Sequence, residues 1–317
     1  MLANFLQTLS YSFSITGPIF LVLVLGMLLA WKGFINDVFV DIGTRLVFNI
    51  TLPSLLFISI SKTSFEQTAN LPLIAYGLLA TLTAYLLLEI LAARMIFPAA
   101  DRGVVIQGIY RSNMAIIGLA YIVNAYGEVG LAAASLYLGF VTMLYNILSV
   151  ITLNRSLNQH RSLMSRFSEI LKNPLILSIL LALPFAWAEI TLPAVILKTG
   201  DYFAQMTLPL ALLCTGASLN FRALKKESSN AIVSAIGKLV FIPLTFTLGG
   251  LALGFQGIDL GIIFFMSSAP TAAASYIMVK AMGGNAGLAA NIIGLTTVGS
   301  ILVTSVGITL LHGFKLM

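Results

Sequence analysis

The chain has few charged residues and one cysteine, and each scarcity narrows the class of protein. Charged side chains make up 9% of its 317 residues, whereas a soluble domain has about 25%. A soluble fold of this length could not bury so much apolar surface, so the composition indicates a membrane protein. The one cysteine, Cys214, excludes an intrachain disulfide and indicates a packing residue in its apolar span.

Acidic residues and histidines are also scarce within the apolar spans, where an ion-coupled antiporter or an intramembrane enzyme would need them. Only Glu89 lies deep in an apolar span, and Arg94 is its expected partner, while His160 and His312 fall in a polar stretch and near the C-terminus. Sodium–proton antiporters generally place a carboxylate at their site, so that class is disfavoured. An intramembrane enzyme would need a catalytic set at depth, and the sequence offers none. We expect no cofactor and no metal site.

Ten apolar spans follow one another along the chain, each near the roughly 20 residues needed to cross a bilayer. They cover residues 15–31, 38–60, 71–92, 104–125, 129–153, 174–188, 200–219, 231–253, 260–279 and 286–311. Five fall in each half, on either side of a polar stretch. The predicted division is therefore a first five-helix repeat (1–153), a cytoplasmic linker (154–173) and a second five-helix repeat (174–317) of an all-α membrane protein.

The two halves also share sequence at a fixed spacing. The two tryptophans of the chain, Trp31 and Trp187, lie 156 residues apart, and the tripeptide Thr-Leu-Pro at residues 51–53 recurs in the same register at 207–209. An odd number of spans in each copy forces the second copy to enter the membrane from the opposite side. The pattern predicts inverted repeats, which are typical of secondary transporters.

Basic residues in the loops predict the orientation. With the N-terminus outside, ten Lys and Arg lie in cytoplasmic loops and three in loops on the other side, as the positive-inside rule requires. Both termini are therefore predicted outside the cell membrane, which we expect to be a bacterial inner membrane. The basic loops account for the net charge of +6, so no nucleic-acid partner is expected.

Polar residues interrupt the fourth and ninth spans at equivalent positions. At an offset of 157 residues, Asn113 aligns with Pro270. Proline removes a backbone donor and disfavours helical geometry in the residue before it. We predict that both helices break, near residues 111–114 and 268–271, and that they cross to form a substrate site at the membrane midplane. The alternative is that these side chains serve only as hydrogen-bonding partners between helices.

The residues at the two breaks form the predicted substrate-binding set, because the N-termini of half-helices attract anions. The set comprises Arg111, Ser112, Asn113, Ser268, Pro270 and Thr271, together with Lys238 of the eighth span. The candidate partners of Lys238 are a substrate anion or the carbonyls of a broken helix. Lys238 is the first choice for the cation that balances a substrate carboxylate, and Arg111 is the second. For Arg111 the alternatives are an internal ion pair or snorkelling toward the cytoplasm. Pro53 and Pro209 are predicted to kink their helices or to act as hinges.

These segments resemble the auxin efflux carrier family, which includes bacterial malate and malonate permeases and the plant PIN proteins. The resemblance covers essentially the whole chain and is carried by residues 49–57, 111–113, 117–119, 207–211, 216–219, 238–239, 243–244 and 269–271. It implies two inverted five-helix repeats with crossed helices 4 and 9, the fold of sodium–proton antiporters and bile-acid symporters. It further implies a scaffold of helices 1, 2, 6 and 7, a transport unit of helices 3–5 and 8–10, and a homodimer. Plant PIN proteins have proline at both crossings, whereas this chain has Asn113 at one, as bacterial relatives do.

The predicted function is secondary transport, as an efflux carrier or permease, of small organic anions such as dicarboxylates or auxin-like acids. The predicted mechanism is alternating access of the elevator type, with the bilayer and a second copy of the chain as partners. One alternative is a sodium-coupled, bile-acid-type symporter of the same fold, which sodium-dependent uptake would favour. Another is a channel, which saturable and stereoselective uptake would exclude. The transported anion, the direction and the coupled ion stay open.

Overall fold

The computed structural model describes residues 2–62, 70–158, 174–219 and 229–317, with side chains from residue 9 onward. Most of the predicted linker, including His160, lies outside these ranges. The described chain is helical apart from turns, loops and one isolated pair of extended residues. Six helical stretches are long and apolar enough to span a membrane: Leu9–Trp31, Asp37–Ser61, Leu71–Met95, Met114–Ser156, Ser229–Ala252 and Ala286–Gly313. The chain is thus an all-α, multi-pass membrane protein.

The helices are named here in chain order. The first half contains α1 (Leu2–Trp31), α2 (Asp37–Leu46), α3 (Leu52–Ser61), α4 (Leu71–Met95), α5 (Arg102–Tyr110) and α6 (Leu119–Ser156). The second half contains α7 (Pro174–Trp187), α8 (Ala194–Ser218), α9 (Ser229–Ile236), α10 (Ile242–Ala252), α11 (Gly257–Ser268), α12 (Ala274–Ala281) and α13 (Ala286–Gly313). Single π-helical turns lie at Val47–Thr51, Met114–Gly118 and Gly237–Phe241.

Two of the π-helical turns directly precede a proline. Pro53 lies at the start of α3 and Pro243 at the start of α10. Proline has no N–H, and its ring presses on the carbonyl one turn earlier, so the helix upstream widens without ending. Pro209 differs, because it lies inside the continuous helix α8. The hinge roles of Pro53 and Pro209 stay predictions.

The stretch Met114–Ser156 has 43 residues, too many for one straight passage. At about 1.5 Å per residue it would be on the order of 60 Å long, roughly twice the thickness of the hydrocarbon core. Its regular geometry stops at Gly127, where φ is 60° and ψ is −145°, a conformation that glycine adopts without the strain a side chain would add. The helix is therefore interrupted where the predicted fourth and fifth spans meet.

The helices α1 and α8 touch backbone to backbone. A Cβ atom added to Gly26 of α1 would lie 2.2 Å from the carbonyl oxygen of Leu213, and one added to Gly216 of α8 would lie 2.0 Å from that of Leu23. Small residues allow such close approach in membranes, where packing drives helix association. Around this pair, α3 packs on α7 and α8, whereas α4, α5 and α11 pack on α6.

One expected ion pair is wrong. The carboxylate of Glu89 lies 3.3 Å from the guanidinium of Arg155, not beside Arg94. Residues three or four apart share a helix face, but Arg94 follows Glu89 by five residues and projects in another direction. The end of α6 packs against α4 and brings Arg155 within reach, a long-range contact that helical spacing does not reveal.

Candidate functional site

The fourth and ninth spans are both interrupted close to the predicted positions. The helix α5 ends at Tyr110, and helical structure resumes at Met114. The helix α11 ends at Ser268, and α12 begins at Ala274. Arg111 is the first extended residue of its gap, with φ −84° and ψ 98°. Each interruption thus leaves a short, non-helical segment between two half-helices.

The two gaps pair with each other through an isolated antiparallel bridge. The N–H of Asn113 donates to the carbonyl of Pro270 over 2.7 Å, and the N–H of Ala272 donates to the carbonyl of Arg111 over 3.0 Å. Backbone groups freed by the breaks must find partners inside a membrane protein, because lipid offers none. The segments cross, and each provides hydrogen-bond partners for the backbone of the other.

The side chain of Thr271 ties this crossing to two neighbouring helices. Its hydroxyl donates to the carbonyl of Gly108 over 2.6 Å, and its N–H donates to the hydroxyl of Thr296 on α13 over 3.1 Å. Ser268 instead bonds to the Phe265 carbonyl of its own helix, over 3.4 Å. Thr271 therefore bonds between helices, as the alternative of interhelical hydrogen bonding describes, whereas the partner of Ser268 lies in its own helix.

Four half-helix ends meet at the crossing. The helices α5 and α11 reach it with their C-terminal ends, which carry free carbonyls and partial negative charge. The π-helical turn from Met114 and the helix α12 leave it with their N-terminal ends, which carry free N–H groups and partial positive charge. Both N-terminal ends, residues 113–115 and 272–274, line one cavity of about 260 Å³. The positive ends therefore share one face of the crossing, called here the cavity face.

Three residues of the predicted set, Arg111, Ser112 and Asn113, line this cavity. Sequence reasoning missed the rest of its polar wall, which comprises Asn49 from the π-helical turn before Pro53 and Thr142, Tyr145 and Asn146 from α6. A signal was present, because the three α6 residues recur at three- and four-residue spacing on one face of an apolar helix. Apolar wall is supplied by Phe48, Met114, Ala115, Pro174, Leu175 and Ala272–Ala274.

Arg111 brings a cation to the cavity wall and is held by neutral groups. Its side chain donates to the Asn146 amide oxygen over 2.7 Å and to the Ser149 hydroxyl over 3.2 Å, and the residue is 5% exposed. The ion pairs among the described residues are Arg45–Asp41, Lys62–Asp201 and Arg155–Glu89. Within that part of the chain, Arg111 has no carboxylate partner.

Lys238 lies on the opposite face of the crossing. It is fully buried in the π-helical turn between α9 and α10. Its ammonium donates to the Ser112 hydroxyl and, over 3.0 Å, to the carbonyl of Ser267 in the last turn of α11. This ammonium therefore faces the negative C-terminal end of α11. We call this side of the crossing the lysine face.

Comparison with known proteins finds matches to membrane transport proteins. Residues 158–308 match a family model described as membrane transport protein. An uncharacterized transporter of Methanocaldococcus jannaschii is 29% identical over 286 residues, which cover 86% of this chain and 89% of the relative. By these two matches the chain is similar to membrane transport proteins along most of its length. A second relative, an uncharacterized transporter of Methanothermobacter thermautotrophicus, is 24% identical over 260 residues, which cover 80% of this chain and 83% of the relative.

These similarities support a role in membrane transport and make the cavity at the crossing the candidate site for a transported solute. The printed names of the two archaeal relatives state transport and no substrate. The choice of solute therefore depends on the chemistry of the cavity wall in this carrier.

Proposed function

We propose that this carrier is a secondary transporter of small organic anions and that the substrate's carboxylate binds in the cavity at the crossing. The observation that carries the proposal is the convergence of two positive half-helix ends and the Arg111 guanidinium on one cavity. A buried cation without a counter-charge is costly, and an entering carboxylate offsets part of that cost. The cavity of about 260 Å³ has roughly the volume of nine water molecules, a size that suits small carboxylic acids.

The sequence suggested Lys238 first and Arg111 second as the cation that balances the substrate, and this proposal reverses that ranking. Arg111 balances the substrate because it lines the cavity, whereas Lys238 already donates to Ser112 and to the Ser267 carbonyl. Ser112 lines the cavity and also accepts a hydrogen bond from Lys238. Lys238 would then stabilise the crossing that positions the site.

We further propose ten membrane passages in two inverted repeats. The passages would be α1, α2 with α3, α4, α5 with the start of α6, the rest of α6, α7, α8, α9 with α10, α11 with α12, and α13. Two similar hydrogen bonds support the symmetry. Asn70 at the start of passage 3 donates to Asp259 of passage 9 over 2.7 Å, and Asn230 of passage 8 donates to Asp101 before passage 4 over 3.3 Å. Exchanging the repeats converts one pair into the other.

The proposed topology places both termini outside and Ser156 in the cytoplasm. Single cysteines at Ser156 and at Lys62, each in a Cys214→Ala background, test it with a membrane-impermeant thiol reagent. The reagent should label intact cells at position 62 and leave position 156 unlabelled until the membrane is opened. Labelling of position 156 in intact cells would contradict the topology.

Alternating access is supported by an asymmetry around the crossing. A cleft of about 500 Å³ lies between the start of α2 and end of α8 on one side and α12 and α13 on the other, and it shares Ala273 with the cavity. Toward the opposite end, the hydroxyl of Ser12 on α1 donates to the Ser305 carbonyl of α13 over 2.8 Å. The site would thus be accessible from the predicted cytoplasmic side and sealed from the other. The proposed movement is of the elevator type, against a scaffold of passages 1, 2, 6 and 7. The proposed assembly is a homodimer in a bacterial inner membrane.

A ligand screen on the purified protein tests the function. Acetate, lactate, malonate, malate and indole-3-acetate are titrated in a thermal-shift assay, because a ligand that binds the folded state raises its melting temperature. At least one should do so, and the same compound should be taken up saturably into proteoliposomes that contain the protein. Absence of any shift and of any uptake across the panel would contradict organic-anion transport. Strict dependence of uptake on sodium would favour the bile-acid-type alternative.

A further inference from the structure

The helix α6 presents two neutral acceptors to the buried guanidinium. Asn146 and Ser149 lie three residues apart, hence on one helix face, and they accept from Arg111 over 2.7 and 3.2 Å. A third contact, to the thioether of Met278 at 3.6 Å, is weak because sulfur is a poor acceptor. These three contacts hold the side chain without supplying a negative charge.

The hydroxyl of Ser149 extends this arrangement away from the cavity. It accepts from Arg111, which has only donors, so its own proton is free to point toward the Tyr110 hydroxyl at 2.7 Å. The Tyr110 hydroxyl can then donate to the Tyr145 carbonyl at 3.4 Å. In this series of hydrogen bonds every donor points away from the guanidinium, and the last acceptor is a neutral carbonyl. The direction of each bond is therefore favourable next to a positive charge.

Carboxylates are the usual partners of a buried arginine, because their two oxygens match the guanidinium fork and cancel its charge. An aspartate would fit at position 146, since it differs from asparagine only by an oxygen in place of the amide nitrogen. With Asn146, the guanidinium is placed equally well but keeps its full charge beside the cavity. Neutral partners thus separate two tasks that a carboxylate would combine, namely holding the arginine and neutralising it.

We propose that Asn146 and Ser149 are positioning residues that set the charge selectivity of this carrier. They hold Arg111 with neutral acceptors, so that its charge is balanced only when a substrate carboxylate enters the cavity. The inference rests on the proposed function. An aspartate at position 146 would pair with Arg111 internally, stabilise the empty carrier and remove the gain that an anion obtains on binding.

The experiment compares two variants with two matched controls in the purified full-length protein. Asn146→Asp adds the internal carboxylate, and Asn158→Asp adds the same charge at an exposed position just beyond the end of α6. Ser149→Ala removes one acceptor, and Ser135→Ala removes a buried serine of the same helix that bonds only to the Leu131 carbonyl. The probes are acetate, lactate, malonate, malate and indole-3-acetate, and the readouts are the melting temperature without probe and the Kd of each probe that binds.

Asn146→Asp should raise the Kd at least about tenfold and should raise the melting temperature without probe above those of the parent and of Asn158→Asp. Ser149→Ala should raise the Kd severalfold, and both controls should stay within twofold. A folded Asn146→Asp protein with the Kd of the parent would overturn the proposal. If that variant does not fold, Ser149→Ala decides, because a Kd within twofold of the parent's overturns the proposal and a larger loss supports it.

Failure of the proposed function has a different signature. A parent protein that binds none of the probes counts against anion transport. The melting temperature of Asn146→Asp without probe still tests the charge arrangement in that case. A rise relative to Asn158→Asp supports an uncompensated guanidinium at this place, and no rise overturns it.

Discussion

The two faces of the crossing use the same kind of charge in opposite ways. On the lysine face, the Lys238 ammonium donates to the Ser267 carbonyl, at the negative C-terminal end of α11. On the cavity face, the Arg111 guanidinium lies with the positive ends of the other two half-helices, beside a cavity of about 260 Å³. Both cations are almost fully buried. The lysine is placed where backbone dipoles offset its charge, and the arginine where they add to it.

This difference separates a structural cation from a functional one. A buried charge surrounded by opposing dipoles is already stabilised and gains little from a ligand. A buried charge surrounded by dipoles of its own sign gains most from an anion. Burial alone does not distinguish Lys238 from Arg111, and the direction of the neighbouring half-helices does.

The largest effect is expected from reversing the charge on the lysine face. Lys238→Glu would place a carboxylate against the Ser267 carbonyl at the negative end of α11, and an unpaired buried charge typically costs about 3–5 kcal/mol. The variant should melt far below the parent or give no monodisperse protein. Lys280→Glu is the control, because Lys280 is exposed on α12 and its reversal should change the melting temperature little. Equal melting of Lys238→Glu and the parent would remove the distinction between the faces.

A smaller effect is expected where the Thr271 side chain ties the ninth-span gap to α5. Thr271→Val leaves the carbonyl of Gly108 without the hydroxyl that now donates to it over 2.6 Å, which should cost about 1–2 kcal/mol of unfolding free energy. Thr297→Val is the matched control, because Thr297 is equally buried and bonds only to the Ile293 carbonyl of its own helix. Denaturation of both variants gives the comparison. Equal stability losses would show that the contact to Gly108 contributes nothing special.

The smallest effect is expected from making the crossing symmetric. Asn113→Pro removes the N–H that donates to the Pro270 carbonyl, a loss of about 1 kcal/mol. The backbone tolerates proline there, because Asn113 has a φ of −78°, near the value that proline imposes. The purified variant should remain folded and melt slightly below the parent. Collapse of the fold would show that the N–H of Asn113 matters far more than one hydrogen bond.

Much of the crossing was predictable from the sequence. Pro270 and its repeat partner Asn113 locate both interruptions, because they are weak helix formers at equivalent depths of two apolar spans. The scarcity of acidic residues in the spans also indicated that buried cations would lack sequence-local partners. These inferences depend on composition and spacing, which a single sequence records directly.

The different roles of the two faces, structural for Lys238 and substrate-binding for Arg111, were not predictable. They depend on which half-helix ends lie beside Lys238 and which lie beside Arg111, and only the folded chain brings Arg111, Lys238 and the end of α11 together. Asn146 and Ser149 escaped notice for a similar reason. Each lies on a long helix that has several other polar residues, and its contact with Arg111 joins residues far apart in the chain.

The most direct test of anion binding on the cavity face compares the Kd of one bound carboxylate in Arg111→Gln and Lys238→Gln. Each change removes one buried positive charge and keeps a side chain with amide donors. A hydrogen bond to a charged group contributes about 1.5–3 kcal/mol, so Arg111→Gln should raise the Kd by on the order of 10- to 100-fold. Lys238→Gln should raise it much less. A larger loss in Lys238→Gln than in Arg111→Gln would contradict this assignment and place the anion with the lysine.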